Sequence, residues 1–114
     1  MSNLSSLETN VRLSILNNNS ESGSVFGRGI AVLCRGVREK GSLNAAAKDI
    51  GMAYSKAWRI IRDTEDALGV ELLVRNGAHG SHLTDEGNRL LDTYFAIEKE
   101  LSQKAAELYK KLLK

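Results

Sequence analysis

Three glycines, Gly41, Gly51 and Gly69, cut the middle of the chain into three helical stretches, and the short gap at the second restricts the fold most. From about Phe26 to Lys40, Ile30, Leu33, Cys34 and Val37 fall at i, i+3, i+4 and i+7, the spacing of a helix with one buried stripe. Gly41 ends it. Ser42 stands where an N-cap belongs, ahead of Leu43–Ile50, in which Ala45, Ala46 and Ala47 raise helix propensity and let another helix approach closely. Gly51 closes this stretch as a C′ residue, and a third helix is expected from Tyr54 to Leu68, stopped by Gly69. Only Gly51-Met52-Ala53 joins the second helix to the third. So short a link forces a sharp crossing, the arrangement of a helix-turn-helix.

Composition agrees with that frame. There is no proline, where average usage predicts roughly five or six, and only 5% of residues are aromatic. Both features favour helices punctuated by glycine over a large β-sandwich. With 114 residues, 42% hydrophobic and 26% charged, the chain has room for one compact domain, or a small domain with an extended tail.

The flanks complete the architecture. Val11-Arg12-Leu13-Ser14-Ile15 alternates apolar and polar, predicting one short strand, and Asn17 to Gly23 is a loop by composition. After Gly69, Val70–Arg75 is branched and apolar, Asn76-Gly77 is a strong hairpin signal, and Ser81-His82-Leu83 is the return strand. A two-stranded hairpin directly after a helix-turn-helix is a wing. Thr84 then caps a last helix that carries Asp85 and Glu86 in its first turn, opposing the helix dipole. Its apolar residues Leu90, Tyr94, Ile97, Leu101, Ala105, Leu108 and Leu112 advance in steps of three and four. So long a stripe exceeds what one small domain covers, and Leu90, Tyr94, Ile97, Leu101 and Leu108 are expected to meet a second copy. The fold class is mainly α with small β: an N-terminal strand and polar loop (1–25), a winged helix-turn-helix (26–83) and a C-terminal dimerisation helix (84–114).

Charge placement separates the faces. The formal net charge is +2, from 16 basic and 14 acidic residues. Between Arg35 and Arg62, however, seven basic residues (Arg35, Arg38, Lys40, Lys48, Lys56, Arg59, Arg62) outweigh Glu39 and Asp49, a local +5. Asp63, Glu65, Asp66 and Glu71 follow as an acidic shoulder. At about 100° per residue, Ala57, Ile61, Thr64 and Leu68 form the core stripe of the third helix, and Ser55, Arg59 and Arg62 point away from it, with Lys56 on one flank and Trp58 on the other. A recognition helix in a DNA major groove uses that combination: Arg bidentate to guanine, Ser to a base or phosphate, Lys to phosphate. The candidate DNA-contacting set is Ser42, Tyr54, Ser55, Lys56, Arg59, Arg62, Arg75 and His79. Tyr54 serves phosphate contact or packing equally well. Trp58 fits packing against the wing or first helix better than stacking on a sugar or base.

Other chemistries lack their residues. His79 and His82 stand three apart and the only other soft ligand, Cys34, belongs to an apolar stripe, so the three or four protein ligands of a zinc site are not assembled, and no metal and no cofactor is expected. Cys34 sits on an apolar stripe as plain core, and one cysteine allows no internal disulfide, which suits a reducing cytoplasm. No paired carboxylates, nucleophile elbow or phosphate-binding glycine motif offers catalysis. The longest apolar run, Ile30 to Cys34, is far short of the ~20 residues of a membrane span, and no secretory signal is visible.

The run Gly41-Ser42-Leu43-Asn44-Ala45-Ala46-Ala47-Lys48-Asp49-Ile50-Gly51-Met52-Ala53-Tyr54-Ser55-Lys56-Ala57-Trp58 resembles the N-terminal DNA-binding domain of the molybdate-dependent ModE-type regulators, in its Tyr54…Ala57-Trp58 element above all. Leu68-Gly69-Val70-Glu71-Leu72-Leu73-Val74-Arg75, followed by His82-Leu83-Thr84-Asp85-Glu86-Gly87, is similar to the wing and linker-helix start shared with LysR-type regulators. The resemblance covers roughly residues 26–110. It implies a bacterial, cytoplasmic transcription factor that binds double-stranded DNA as a homodimer through its long terminal helices. Ala53 replaces the family's cap serine, and the wing, Asn76 to Ser81, is shorter. The chain ends at residue 114, so the C-terminal oxyanion-binding domains have no counterpart in it and molybdate is not expected to bind. The rival of another class is a winged-helix protein-interaction module with a solvated basic face; salt-dependent binding to random duplex separates the two.

Overall fold

Helix α1 (Arg28–Lys40) is the hub of the fold. Its Ile30, Ala31, Leu33, Cys34 and Val37 are buried, the stripe that the spacing predicts with Ala31 added. The computed structural model describes residues 3–75 and 80–114. After α1 come α2 (Leu43–Asp49), α3 (Tyr54–Leu68), an antiparallel pair β1 (Leu73–Arg75) and β2 (Ser81–Leu83), and α4 (Asp85–Leu112). This is a mostly helical winged-helix domain with one small sheet.

The alanines of α2 act as their size suggests. A Cβ placed on Gly36 of α1 would lie 2.7 Å from the Ala46 Cβ, so the two helices touch where both side chains are nearly absent. Gly41 leaves α1 in the left-handed region (φ 78°) with its N–H on the Val37 carbonyl. Its own carbonyl accepts from Ser81 N–H at 3.1 Å, tying β2 to the end of α1. Ser42 caps α2, its Oγ accepting from Ala45 N–H at 3.0 Å. Helix α3 spans the expected residues, but its buried stripe is Ala57, Ile61, Thr64 and Ala67; Leu68 is only half-buried.

Four expectations need correction. The strand over 11–15 does not form: Val11, Leu13 and Ile15 turn inward alternately, yet pairing is limited to one bridge between Ile15 and Phe26. The opposing segment is Gly23-Ser24-Val25, which passes into helix within a few residues and leaves no ladder to extend. Phe26 accordingly precedes α1 rather than belonging to it, and is fully buried with its ring edge-on to Tyr94 at 5.5 Å. The first wing strand starts at Leu73 rather than Val70, because Glu65 Oε2 accepts from Leu72 N–H (2.7 Å) and Leu73 N–H (3.2 Å). Glu65 therefore joins α3 to the wing instead of forming part of a solvated acidic shoulder.

Thr84 caps α4, accepting from Gly87 N–H at 2.9 Å and donating to the Glu71 carbonyl at 2.6 Å. Gly87, Leu91 and Tyr94 are buried against the body. Beyond them α4 runs free of the core, and the radius of gyration is 17.0 Å, against about 13 Å for a compact domain of this length. Tyr94 is wholly buried, so it is no dimerisation residue. It lies about 20° from Leu101 around the helix, but two turns nearer the body, where Phe26 covers it. An unforeseen feature is the N-terminal segment, which runs back along α4. Asn10–Ser14 lie beside Tyr94 and Glu98, and the Tyr109 hydroxyl donates to the Leu4 carbonyl at 2.5 Å.

Candidate nucleic-acid interface

The first three turns of α3 set out the chemistry. With Ala57 and Ile61 turned into the core, the helix exposes Tyr54, Ser55, Lys56, Arg59 and Arg62. Ser55, Lys56, Arg59 and Arg62 hydrogen-bond or ion-pair with no side chain among the described residues. Ala53 supplies no side-chain cap, which leaves first-turn N–H groups of α3 open to an acceptor from outside.

Arg75 is brought to the same surface by the wing. Its Nη2 donates to the Tyr54 hydroxyl at 3.0 Å, and Trp58 Nε1 donates to that oxygen at 2.7 Å. The guanidinium sits 5.1 Å from the Trp58 ring centre and 5.9 Å from that of Tyr54. Two donors occupy the acceptor sites of the Tyr54 oxygen, so its own proton is left to donate outward. Tyr54 therefore both packs and presents a donor, and Trp58 packs against the wing strand. Ser42, Tyr54 and Arg75 share one shallow concavity with Asn44 and Ser81, between the start of α2 and the wing. Asn44 is the residue that sequence reasoning passed over. Its signal was available: an exposed amide two positions after an N-cap serine.

The basic front is narrower than the run of charges along the chain suggests. Arg38 reaches α4, bonding Asp92 at 2.9 Å and the Asn88 Oδ1 at 3.0 Å. Arg35 lies over the Phe95 ring at 4.9 Å, and Lys40 pairs with Asp49 at 3.9 Å. One side of α1 packs on α4, so neighbours in a charge count end on opposite sides of the domain. Lys56, Arg59, Arg62 and Arg75 remain together. His79 lies outside the described residues. Cys34 is sealed in the core, and burial, reinforced by the Glu65 charge and opposed by Arg38, pushes its thiol up to about 12, so no thiolate forms near neutrality.

A comparison with protein families identifies this arrangement. The family described as bacterial regulatory helix-turn-helix protein, lysR family, matches residues 32–88, from α1 through the wing into the first turn of α4. The chain belongs to the lysR family. Among lysR-like relatives, the HTH-type transcriptional regulator TdcA of Escherichia coli K12 is 36% identical over 77 residues, which cover 68% of this chain and 24% of TdcA. The molybdenum transport protein ModE of Azotobacter vinelandii is 36% identical over 86 residues, 70% of this chain and 31% of ModE. Transcriptional regulator ModE of Yersinia pestis is 35% identical over 88 residues, 73% of this chain and 32% of that protein. The matched region thus spans about a quarter to a third of these relatives. A crystal structure of a CbnR_DBD–DNA complex superposes with a TM-score of 0.60 at 27% identity, covering 75% of this chain and 97% of that one.

Proposed function

We propose that this lysR-family chain is a sequence-specific, DNA-binding transcriptional regulator that places α3 in the major groove of duplex DNA. The observation that carries the reading is the single face of α3 on which Ser55, Lys56, Arg59 and Arg62 stand exposed and uncommitted, beside an Arg75 held by Tyr54 and Trp58. Arg59 reads a base edge, Arg62 and Lys56 meet phosphates, and Ser55 bonds a base or phosphate. Ser42, Asn44, Tyr54 and Arg75 grip the backbone beside the groove. The TdcA and ModE names and the DNA-bound CbnR structure support this reading. Tyr54, Ala57 and Trp58 favour a ModE-like rather than a general LysR-like docking, without extending to molybdate.

The chain acts as a homodimer through α4. Leu90, Ile97, Leu101, Leu108 and Leu112 fall within about 60° around that helix, and Ile97, Leu101, Leu108 and Leu112 are exposed. Charge sets the direction of pairing. Residues 85–98 carry four acids and Arg89, a net −3, whereas residues 99–114 carry five lysines and two acids, a net +3. Antiparallel helices match acidic half to basic half, and parallel ones oppose like charges.

Selection of bound duplexes from a random pool tests both claims. A recovered inverted repeat is the expected outcome. Binding that is negligible, or flat with salt, would instead leave the winged helix as a protein-interaction module.

A further inference from the structure

We propose that Glu65 is a positioning residue for DNA binding, the anchor that sets where the wing's Arg75 meets the duplex. The proposal rests on the DNA-binding reading above and adds to it a residue that acts through Arg75 rather than on the duplex itself. The geometry begins on one flank of α3. At 100° per residue, Tyr54, Trp58 and Glu65 fall within about 40° of one another, and all three hold the wing. Glu65 Oε2 accepts from Leu72 N–H at 2.7 Å and from Leu73 N–H at 3.2 Å. Nearer the start of α3, the Tyr54 hydroxyl and the Trp58 ring hold the Arg75 guanidinium.

The chain between these anchors runs back along the helix, and the two spans agree. From Trp58 to Glu65 the helix rises about 10 Å. From Leu72 to Arg75 an extended chain covers about 10 Å as well. Arg75 therefore reaches Trp58 while Leu72 and Leu73 stay at Glu65. The hairpin is too short to set that register by itself: β1 and β2 meet only over Leu73 with Leu83, Val74 with His82 and Arg75 with Ser81, and an isolated two-stranded hairpin is marginal at best. A slip of one residue along α3 would carry Arg75 about 3.3 Å and turn its side chain to the other face of the wing.

Energetics agree with that anchoring. Leu72 and Leu73 are buried, so without the carboxylate their two N–H groups lose an acceptor where water reaches poorly. Nor does α3 itself gain from an acid at this position. Glu65 stands in the last turn, at the negative end of the helix dipole, and no base in that turn offsets it. Its contact with the wing compensates for that cost.

The test is a double-mutant cycle between Glu65 and Arg75 in the full chain, titrated against the selected site over a range of salt, with folding checked by circular dichroism. Arg75→Ala is expected to weaken binding about three- to tenfold at low salt and to lower the slope of log affinity against log salt by about one, for one lost phosphate contact. Glu65→Ala is expected to do the same in the parent and to cost nothing further in Arg75→Ala. Glu65→Gln keeps an acceptor oxygen without its charge, so it should recover part of the loss, and it carries the cycle if Glu65→Ala does not fold. Trp58, the single tryptophan, reports the same event without DNA: its emission should shift alike in Arg75→Ala and Glu65→Ala, and no further in the double variant. Equal losses from Glu65→Ala with and without Arg75, or a parental salt slope, would make Glu65 a fold residue only and overturn the proposal while the DNA reading stands. Negligible duplex binding by the parent chain would overturn the DNA reading and this proposal with it.

Discussion

The outer face of α3 and the free stripe of α4 are both exposed helical surfaces, yet water treats them in opposite ways. On α3 the bare residues are Ser55, Lys56, Arg59 and Arg62. Cations at that exposure are well hydrated, so leaving them unpaired costs little and their clustering speaks of an anionic partner only through its pattern. On α4 the bare residues are leucines and Ile97, whose exposure forgoes about 25 cal/mol for each Å² that a partner would cover. A solvated α3 face is stable by itself. The α4 stripe is an energetic reason for a second copy. The two surfaces therefore support their partners with different kinds of argument, and substitutions separate them.

The largest expected effect is on α4. Leu101→Asp puts a carboxylate from each copy into the α4 stripe of the proposed dimer and removes two leucines from it, weakening association by about 4 kcal/mol. Sedimentation equilibrium should show a monomer with an unchanged circular dichroism spectrum, because Leu101 is 41% exposed within one chain. A dimer as tight as the parent's would show that the stripe meets something else. Next comes Arg59→Ala, expected to cost about 1–3 kcal/mol on the selected site and to relax preference at one base position. Gel-shift titration against the selected site and its single-base variants measures both; undiminished affinity would break the docking of α3. Trp58→Phe keeps the ring under Arg75 but deletes the donor to the Tyr54 hydroxyl, and should cost about 0.5–1.5 kcal/mol in DNA affinity. Lys56→Ala should weaken all duplexes alike and lower the slope of log affinity against log salt by about one, the signature of a lost phosphate contact.

The interior supplies a control with no effect at neutral pH. Cys34 has its folded pKa raised from 9.0 to about 12. The neutral thiol is favoured in the fold, so its contribution is fully present below pH 9. Between pH 9 and 12 the unfolded chain loses this proton while the folded chain keeps it, and stability falls as pH rises. Denaturant melts at pH 8 and pH 10.5 should show that decline, reduced in Cys34→Ala.

Local signals carried the central part of the fold. Ser42 and Thr84 are caps because serine and threonine oxygens reach the N–H groups of their own first turns, a contact three residues long. Gly41 and Gly69 end helices because they adopt positive φ without strain. The outward side of α3 follows from helical periodicity in the same way, and with it Ser55, Lys56, Arg59 and Arg62. Phe26 was harder to place: it stands four residues before Ile30, in phase with the α1 stripe, but its backbone bridges to Ile15 instead. Glu65 has the composition of a solvated shoulder and the position of an acceptor for two wing amides. Asn44 joins the proposed DNA-facing side only because the wing folds over the start of α2.

By itself, the sequence determined where helices begin and end, which side of each is apolar, and which residue types occupy the open face of α3. These are short-range properties, set by backbone preference, caps and a period of 3.6. Only the tertiary structure decided that Arg35 and Arg38 turn to α4 while Arg59 and Arg62 pair with none of the described residues, and that Tyr94 is core while Leu101 is surface. It also laid the N-terminal segment along α4 and built a groove from residues 15–18, 68–70 and 86–93. Periodicity assigns a residue to a side of its own helix; what covers that side depends on contacts between residues up to about a hundred positions apart, which no local pattern encodes.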